Sequence, residues 1–136
     1  AQIRYLKDRL LGYPLEGGAI TGAADFGLAE PPHPEDFVVM GDFNMEPEMP
    51  EYNTMVGSRD AYYGRSLRLE NPVDALAHLG RPTPESYSWI HPENPERRMH
   101  LDYCFLSAGL VSRLTDAWID YDAKGSDHLP VGFTLA

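Results

Sequence analysis

The stretch FVVMGDFN, residues 37–44, combines a short apolar run with two polar side chains, Asp42 and Asn44. Its first four residues form a short apolar run that ends at Gly41, and such a run predicts a strand buried on both faces. Asp42 and Asn44 follow directly, at the position where ligands gather in α/β sheets. Residues two apart in an extended segment point the same way, so this carboxylate and this amide can share one target. The alternative interpretation is a surface turn, because Asp and Asn are common turn residues.

The rest of the chain predicts a mixed α/β domain. Strands are predicted over residues 86–90, 101–106 and 114–121, and Val131, Phe133 and Leu135 alternate in a closing strand. Residues 12–36 lack periodicity, and we expect residues 17–28 to be poorly ordered.

Three helices are predicted from apolar spacing and terminating residues. The first ends at Gly12 and Pro14, and its apolar side is formed by Ile3, Leu6 and Leu10. The second begins at Pro50, and one side of it is formed by Tyr52, Met55 and Val56. The third has Asn71 as its N-cap and ends at Gly80, and its inward side is formed by Val73, Leu76 and Ala77.

Composition narrows the class of protein. The chain has 136 residues, 43% hydrophobic and 24% charged, as expected for one globular domain rather than a disordered or collagen-like chain. No apolar run approaches the length of a membrane span. The single cysteine, Cys104, excludes an internal disulfide and a Cys-based zinc site, and it favours a reducing compartment such as the cytoplasm. We expect its side chain to be a small hydrophobic group in the core.

The net charge is −10, from 11 basic and 21 acidic residues. A surface of this sign repels the phosphate backbone and disfavours non-specific coating of DNA. A bound divalent cation reverses the sign locally, so a phosphate substrate stays compatible with this charge.

Two further clusters contain titratable side chains. LDYCFL (residues 101–106) places Asp102 on the same strand face as Cys104 and Leu106, where a charged carboxylate needs a partner. GSDHLP (residues 125–130) supplies His128, which we predict to pair with Asp102, because an Asp–His pair fixes the tautomer and favours the imidazolium. In the alternatives, Asp102 lies in solvent at the strand end, or it pairs with one of two nearby arginines, Arg97 or Arg98.

The ordered set GDFN, LDYCF and GSDHLPV, with SYSW at residues 86–89, resembles the endonuclease/exonuclease/phosphatase superfamily, whose members are DNase I-like. The resemblance covers residues 37–136. It implies half of a four-layered α/β sandwich, with a mostly antiparallel sheet and flanking helices. It also implies hydrolysis of a phosphoester by in-line attack of water, with Mg²⁺ or Mn²⁺ as cofactor.

The resemblance assigns roles to individual residues. Asp42 orients or deprotonates the water and contributes to the metal site, and Asn44 hydrogen-bonds a phosphate oxygen. Asp102 holds His128, which donates to a non-bridging phosphate oxygen as negative charge develops. Asp127 assists the metal site.

Basic and aromatic side chains near the site are candidates for binding the substrate. Arg97, Arg98 and His100 either line the phosphate pocket or form a solvated charged loop, and the pattern favours neither. Trp89 either stacks on the substrate or packs as a core or rim residue, and packing is the commoner case.

The family domain is about twice as long as this chain. Residues 1–136 therefore resemble its C-terminal part, and an early Asn, a metal-binding Glu and a second His of the N-terminal half have no counterpart here. We expect the isolated piece to lack activity. We also expect it to expose an apolar sheet face, and so to self-associate or to pair with the N-terminal half.

The leading hypothesis is thus a metal-dependent phosphodiesterase, nuclease or phosphatase. The alternative is a non-catalytic binding or scaffold domain on the same fold. The acidic charge favours a small phosphoester or a lipid head group over a nucleic acid as substrate.

Overall fold

The computed structural model describes residues 2–16, 27 and 34–136. The predicted disorder of residues 17–28 falls almost wholly outside this part of the chain. In chain order the elements are α1 (Gln2–Glu16), β1 (Val38–Asp42), α2 (Pro50–Val56), β2 (Val73–Asp74), α3 (Ala75–His78), β3 (Trp89–His91), β4 (Asn94–Met99), β5 (Asp102–Leu106), a 3₁₀ helix (Ala108–Arg113), β6 (Leu114–Ile119) and β7 (Val131–Leu135).

An antiparallel sheet of order β1-β5-β2 occupies the centre, and β3–β4 and β6–β7 form two antiparallel hairpin-like pairs. The fold class is α/β with antiparallel sheets and flanking helices, as predicted, and it corresponds to part of a DNase I-like fold. None of the helices among the described residues combines the length and the apolar character needed to cross a membrane.

Alternation along β5 separates the core into two clusters, because successive side chains of a strand point to opposite faces. Tyr103 and Phe105 pack on one face against α2 and the apolar side of α1. Cys104 and Leu106 pack on the other face against α3, the 3₁₀ helix and the β6–β7 pair. Cys104 is 1% exposed, so the prediction that it is a core residue is confirmed.

The same alternation fixes the direction of Asp102. It lies on the face of Cys104 and Leu106, at the end of β5 where β1 ends and near the segment that leads into β7. At this position the Asp102 carboxylate is directed toward the loop that contains His128. The fold therefore brings Asp102, from the LDYCFL cluster, close to His128, from the GSDHLP cluster.

The prediction that residues 37–40 are buried on both faces is wrong. β1 is an edge strand of the sheet, and Val38 and Met40 are 41% and 52% exposed. The β6–β7 pair packs against β5, on the face of Cys104 and Leu106. Only Phe37 of this run is fully buried.

Two helix boundaries also differ from the prediction. α1 continues through Gly12 and Pro14 to Glu16. A proline in the last turn removes only one intrahelical hydrogen bond, and the packing of α1 on α2 stabilises the rest. Lys7 strengthens that packing, since its Nζ donates to the Thr54 carbonyl at 3.0 Å and to Asn71 Oδ1 at 2.7 Å.

The third helix begins later than predicted. Val73 and Asp74 pair with β5 as β2, and the N-cap is Asp74 rather than Asn71. The Asp74 carboxylate accepts from the backbone N–H groups of Leu76 and Ala77, which fixes the start of α3. Ala77 is exposed rather than directed inward, because α3 has only four residues and turns one side to solvent.

The predicted second helix and the strands near residues 101–106, 114–121 and 131–135 are confirmed with small boundary changes. The strand predicted at 86–90 begins three residues later, as β3. β4 was missed, because Pro95 and four charged or polar neighbours gave no apolar alternation. It forms as the exposed partner of β3.

Candidate active site

Two carboxylates face each other at one end of the central sheet. Asp42 is the last residue of β1 and Asp102 is the first of β5, and they are direct cross-strand partners. Such partners project to the same face of an antiparallel sheet, so these two side chains lie side by side. Like charges in this arrangement repel, and a cation between them is stabilised.

His128 occupies that position. Its Nδ1 lies 2.9 Å from Oδ2 of Asp102, and its Nε2 lies 4.0 Å from Oδ2 of Asp42. The predicted hydrogen bond between Asp102 and His128 is therefore confirmed, and neither alternative for Asp102 holds. The pKa of His128 is raised, chiefly by the hydrogen bond to Asp102 and further by the negative charges of Asp102, Asp42 and Asp127, against a smaller opposing effect of burial.

Asn44 is tied to Asp42. The backbone N–H of Asn44 donates to Asp42 Oδ1 at 2.8 Å, and its side-chain amide donates to Asp42 Oδ2 at 3.2 Å. Asn44 has a φ of 49°, a left-handed conformation that Asn tolerates better than most residues. The turn interpretation and the site interpretation thus both describe this tetrapeptide, since the turn is what directs the amide toward the carboxylate.

The backbone of His128 is fixed by its own loop and by β3. Its N–H donates to Ser126 Oγ at 3.0 Å, and it forms an isolated antiparallel bridge with Trp89. Next to it, Asp127 accepts from the Trp89 indole Nε1 at 3.0 Å. This hydrogen bond is the main reason that the pKa of Asp127 lies below its ordinary value.

Ser88 is a site residue that analysis of the sequence did not single out. It is 0% exposed, and its hydroxyl lies 2.7 Å from Oδ2 of Asp102. The available signal was its place in SYSW, where a small polar residue stands between two aromatic ones in a strand-like stretch.

Arg98 and Arg97 are both exposed, and the aromatic partner of each is different. The Arg98 guanidinium lies 4.6 Å from the Tyr87 ring centroid, and its Nε donates to the Pro95 carbonyl. The Arg97 guanidinium lies 6.0 Å from the half-buried Trp89 ring. Arg97 therefore lies near Trp89, the residue that donates a hydrogen bond to Asp127. The contacts of Arg98 are instead with Tyr87 and Pro95.

His100 does not line an open pocket. It is 3% exposed, its ring stacks on Tyr103 at 4.7 Å between centroids, and its Nε2 has no hydrogen-bond partner among the described residues. Burial lowers the pKa of His100, although the buried carboxylate of Asp74 opposes the change. The imidazole is thus a neutral core group.

The oxygen donors at the site match the preferences of a hard cation. Within residues 2–16, 27 and 34–136, no three or more His, Cys, Asp or Glu side chains form a metal-binding group. The side chains of Asp42, Asn44 and Asp127 at and beside the sheet end carry oxygen atoms, the ligand type that Mg²⁺ prefers. Mg²⁺ commonly binds through one or two carboxylates and completes its shell with water and substrate phosphate.

A cavity in the described part of the chain lies away from these residues. It measures about 590 Å³, and its lining includes Tyr52, Arg59, Arg65 and Arg68 but none of the site residues. Its innermost arginine, Arg65, is already bound to Glu48 and Asn53. The candidate active site at the open end of the sheet is therefore identified by its carboxylate and imidazole side chains, and not by the size of a cavity.

The antiparallel sheet of this α/β scaffold thus ends in a carboxylate–imidazole–carboxylate arrangement, with His128 between Asp102 and Asp42. A family model described as the Endonuclease/Exonuclease/phosphatase family matches residues 9–128, and the chain belongs to this family. The resemblance given by the three ordered motifs is confirmed. The family typically comprises metal-dependent hydrolases that act on phosphoester bonds.

Proposed function

We propose that the protein is a phosphoesterase that depends on Mg²⁺ or Mn²⁺ and hydrolyses its substrate by in-line attack of water. One observation carries the proposal: the His128 imidazole lies between two carboxylates, 2.9 Å from Asp102 and 4.0 Å from Asp42. The imidazole thus holds a positive charge beside an open sheet end, where a phosphate group can approach it. Such a charge neutralises the negative charge that develops in phosphoester hydrolysis.

His128 is the electrostatic and proton-donating group in this proposal. Its Nδ1 is occupied by Asp102, so Nε2 is the nitrogen that faces a substrate. Because its pKa is raised, the imidazolium is the more populated form near pH 6.5, and its Nε2–H donates to a non-bridging phosphate oxygen. The bond strengthens as charge develops on that oxygen.

Asp42 orients or deprotonates the attacking water, and Asn44 steadies Asp42. The amide of Asn44 carries two hydrogens, and one of them is used by Asp42 at 3.2 Å. The other is directed to a phosphate oxygen in this proposal. Arg98 and Trp89 are proposed as weaker contributors to substrate binding.

Asp42 and Asp127 would hold the divalent cation. When bound, the cation supplies Lewis-acid activation and neutralises phosphate charge. We further propose that residues 1–136 form the C-terminal part of the family domain, and that the substrate is a small phosphoester or a lipid head group. The net charge of −10 supports this choice over a nucleic acid.

The test is hydrolysis of bis(4-nitrophenyl) phosphate by the 136-residue chain and by the protein with its genomic upstream sequence. We expect turnover in the longer protein, with Mg²⁺ or Mn²⁺ only, and a loss of about 10²- to 10⁴-fold in His128→Ala. His78→Ala is the matched control, because His78 is an exposed histidine on α3. Undiminished turnover in excess EDTA, or in His128→Ala, would overturn the proposed mechanism, and a lack of turnover in the longer protein with either metal would favour a non-catalytic binding domain.

A further inference from the structure

Ser88 lies at a junction of three backbone segments. Its N–H donates to the Met99 carbonyl at 2.9 Å, and its carbonyl accepts from the Leu129 N–H at 2.7 Å. It is 0% exposed. The residue therefore connects the end of β4 with the loop that leads from His128 into β7.

The direction of its hydroxyl hydrogen is fully determined. Ser88 Oγ accepts from the backbone N–H of Leu101 at 3.0 Å and from that of Asp102 at 2.9 Å. A hydroxyl has two acceptor lone pairs and one donor hydrogen, so both lone pairs are occupied. The hydrogen is left for Oδ2 of Asp102, which lies 2.7 Å away.

The oxygen that receives this hydrogen is the one that binds His128. Oδ2 of Asp102 thus accepts from Ser88 Oγ and from His128 Nδ1, and a carboxylate held by two donors on one oxygen is restrained from turning about its χ angles. A carboxylate oxygen only accepts, so Nδ1 of His128 has to carry a hydrogen. The unprotonated position of the neutral ring is then Nε2, the nitrogen nearest Asp42.

We propose that Ser88 is a positioning residue that fixes the Asp102 carboxylate and, through it, the tautomer of His128. Its importance for turnover rests on the function proposed above. Its effect on His128 is a property of this chain alone and is measured without substrate.

The experiment uses ¹⁵N and ¹H NMR of the histidine rings in the 136-residue chain. In the wild-type chain above the pKa of His128, we expect the Nδ1–H tautomer to predominate. In Ser88→Ala, we expect the Nε2–H tautomer of His128 to gain population, because the Asp102 carboxylate that holds the Nδ1 hydrogen is no longer fixed. In the longer protein, kcat for bis(4-nitrophenyl) phosphate falls about tenfold with little change in KM.

Ser107→Ala is the matched control. Ser107 is also a buried serine, its Oγ also accepts from a backbone N–H, that of Phe37, and its hydroxyl also bonds a carboxylate, that of Asp36. It follows the opposite end of β5, so its loss affects stability without changing the tautomer of His128.

Two outcomes overturn the inference. One is a predominant Nε2–H tautomer of His128 in the wild-type chain, which needs no variant to fold. The other is an unchanged tautomer of His128 in a folded Ser88→Ala variant. If the tautomer responds as expected but the protein lacks turnover, the inference on Ser88 stands and the proposed function fails.

Discussion

Asp42 and Asp102 are paired directly across β1 and β5, so that two carboxylates of like charge lie at one end of the sheet. The arrangement is destabilising unless a positive group lies between them. His128 is that group, since its two ring nitrogens face the two carboxylates at 4.0 and 2.9 Å. The pairing therefore links the protonation of one imidazole to the stability of the sheet end and to the proposed chemistry.

The first prediction concerns the pH dependence of stability. Because the pKa of His128 is raised in the folded chain, its contribution to stability is fully present below about pH 6.5 and is lost as the pH rises through the folded pKa. The free energy of unfolding of the wild-type chain should exceed that of His128→Gln, and this difference should be larger at pH 5.5 than at pH 9. The imidazole is 34% exposed, so we expect a change below about 1 kcal/mol. Urea denaturation at the two pH values measures it, and an equal difference at both would contradict the linkage.

The second prediction concerns His100 and has the opposite sign. Burial lowers the pKa of His100, so the unfolded chain takes up a proton near pH 6.5 that the folded chain resists. Stability from this group is present above that pH and is lost as the pH falls. His100→Phe keeps the stacking on Tyr103 and removes the titration. We expect wild type to lose about 1 kcal/mol more than the variant between pH 7.5 and pH 5 in urea denaturation. Parallel pH profiles for the two chains would refute this.

The third prediction separates the backbone of Asn44 from its side chain. Asn44→Gly keeps the left-handed conformation and loses the amide, whereas Asn44→Ala loses the amide and strains the backbone. In the longer protein, both variants should lose phosphoester hydrolysis to the same extent, but only Asn44→Ala should be destabilised, by about 1 kcal/mol. The assays are hydrolysis rate and the urea midpoint. Full activity in Asn44→Gly would remove Asn44 from the proposed site.

The fourth prediction concerns the indole of Trp89. Trp89→Phe keeps an aromatic ring near Arg97 and removes the N–H that donates to Asp127. The pKa of Asp127 should rise toward 3.8, as followed by carboxyl ¹³C NMR. Trp118→Phe is the control, because the Trp118 ring packs over Gly132 on β7. The same titration of Asp127 in both variants would show that the indole hydrogen bond is not the cause of its low pKa.

The fifth prediction concerns association. Within the described part of the chain, β1 pairs only with β5, and its Val38 and Met40 side chains are exposed. An apolar edge strand of this kind pairs with another chain, so we expect a dimer by light scattering at tens of micromolar. Val38→Lys should shift the chain to monomer, while Thr134→Lys, an exposed change of equal charge on β7, should not. A wild-type chain that is monomeric at this concentration would exclude the prediction.

Much of the site could be predicted because it depends on the spacing of residues that are close together in the sequence. Alternation along residues 101–106 placed Asp102 with Cys104 and Leu106, and a carboxylate on an apolar face needs a partner. Only one histidine followed a Gly-led loop before the last strand, and it was His128. These arguments use sequence spacing and the cost of burying a charge, both of which are visible without coordinates.

The remaining features depend on which elements become neighbours. Nothing in the apolar run at residues 37–40 reveals that β1 is an edge strand, because exposure is set by what packs against it. Asp74 rather than Asn71 is the N-cap, because residues 73–74 pair with β5 as a strand and the helix begins only after them. Ser88 gains its role only when the segments containing Leu101 and Asp102 meet its hydroxyl.

Cys104 offers a practical opportunity. Its thiol is 1% exposed, and burial raises its pKa to about 12, so at neutral pH it presents almost no thiolate to a maleimide or methanethiosulfonate reagent. As the chain has no other cysteine, a second one introduced on the surface can be labelled selectively with the native residue left in place. A spin label or fluorophore attached in this way would report the approach of a cation or a phosphate to the sheet end in an otherwise unaltered protein.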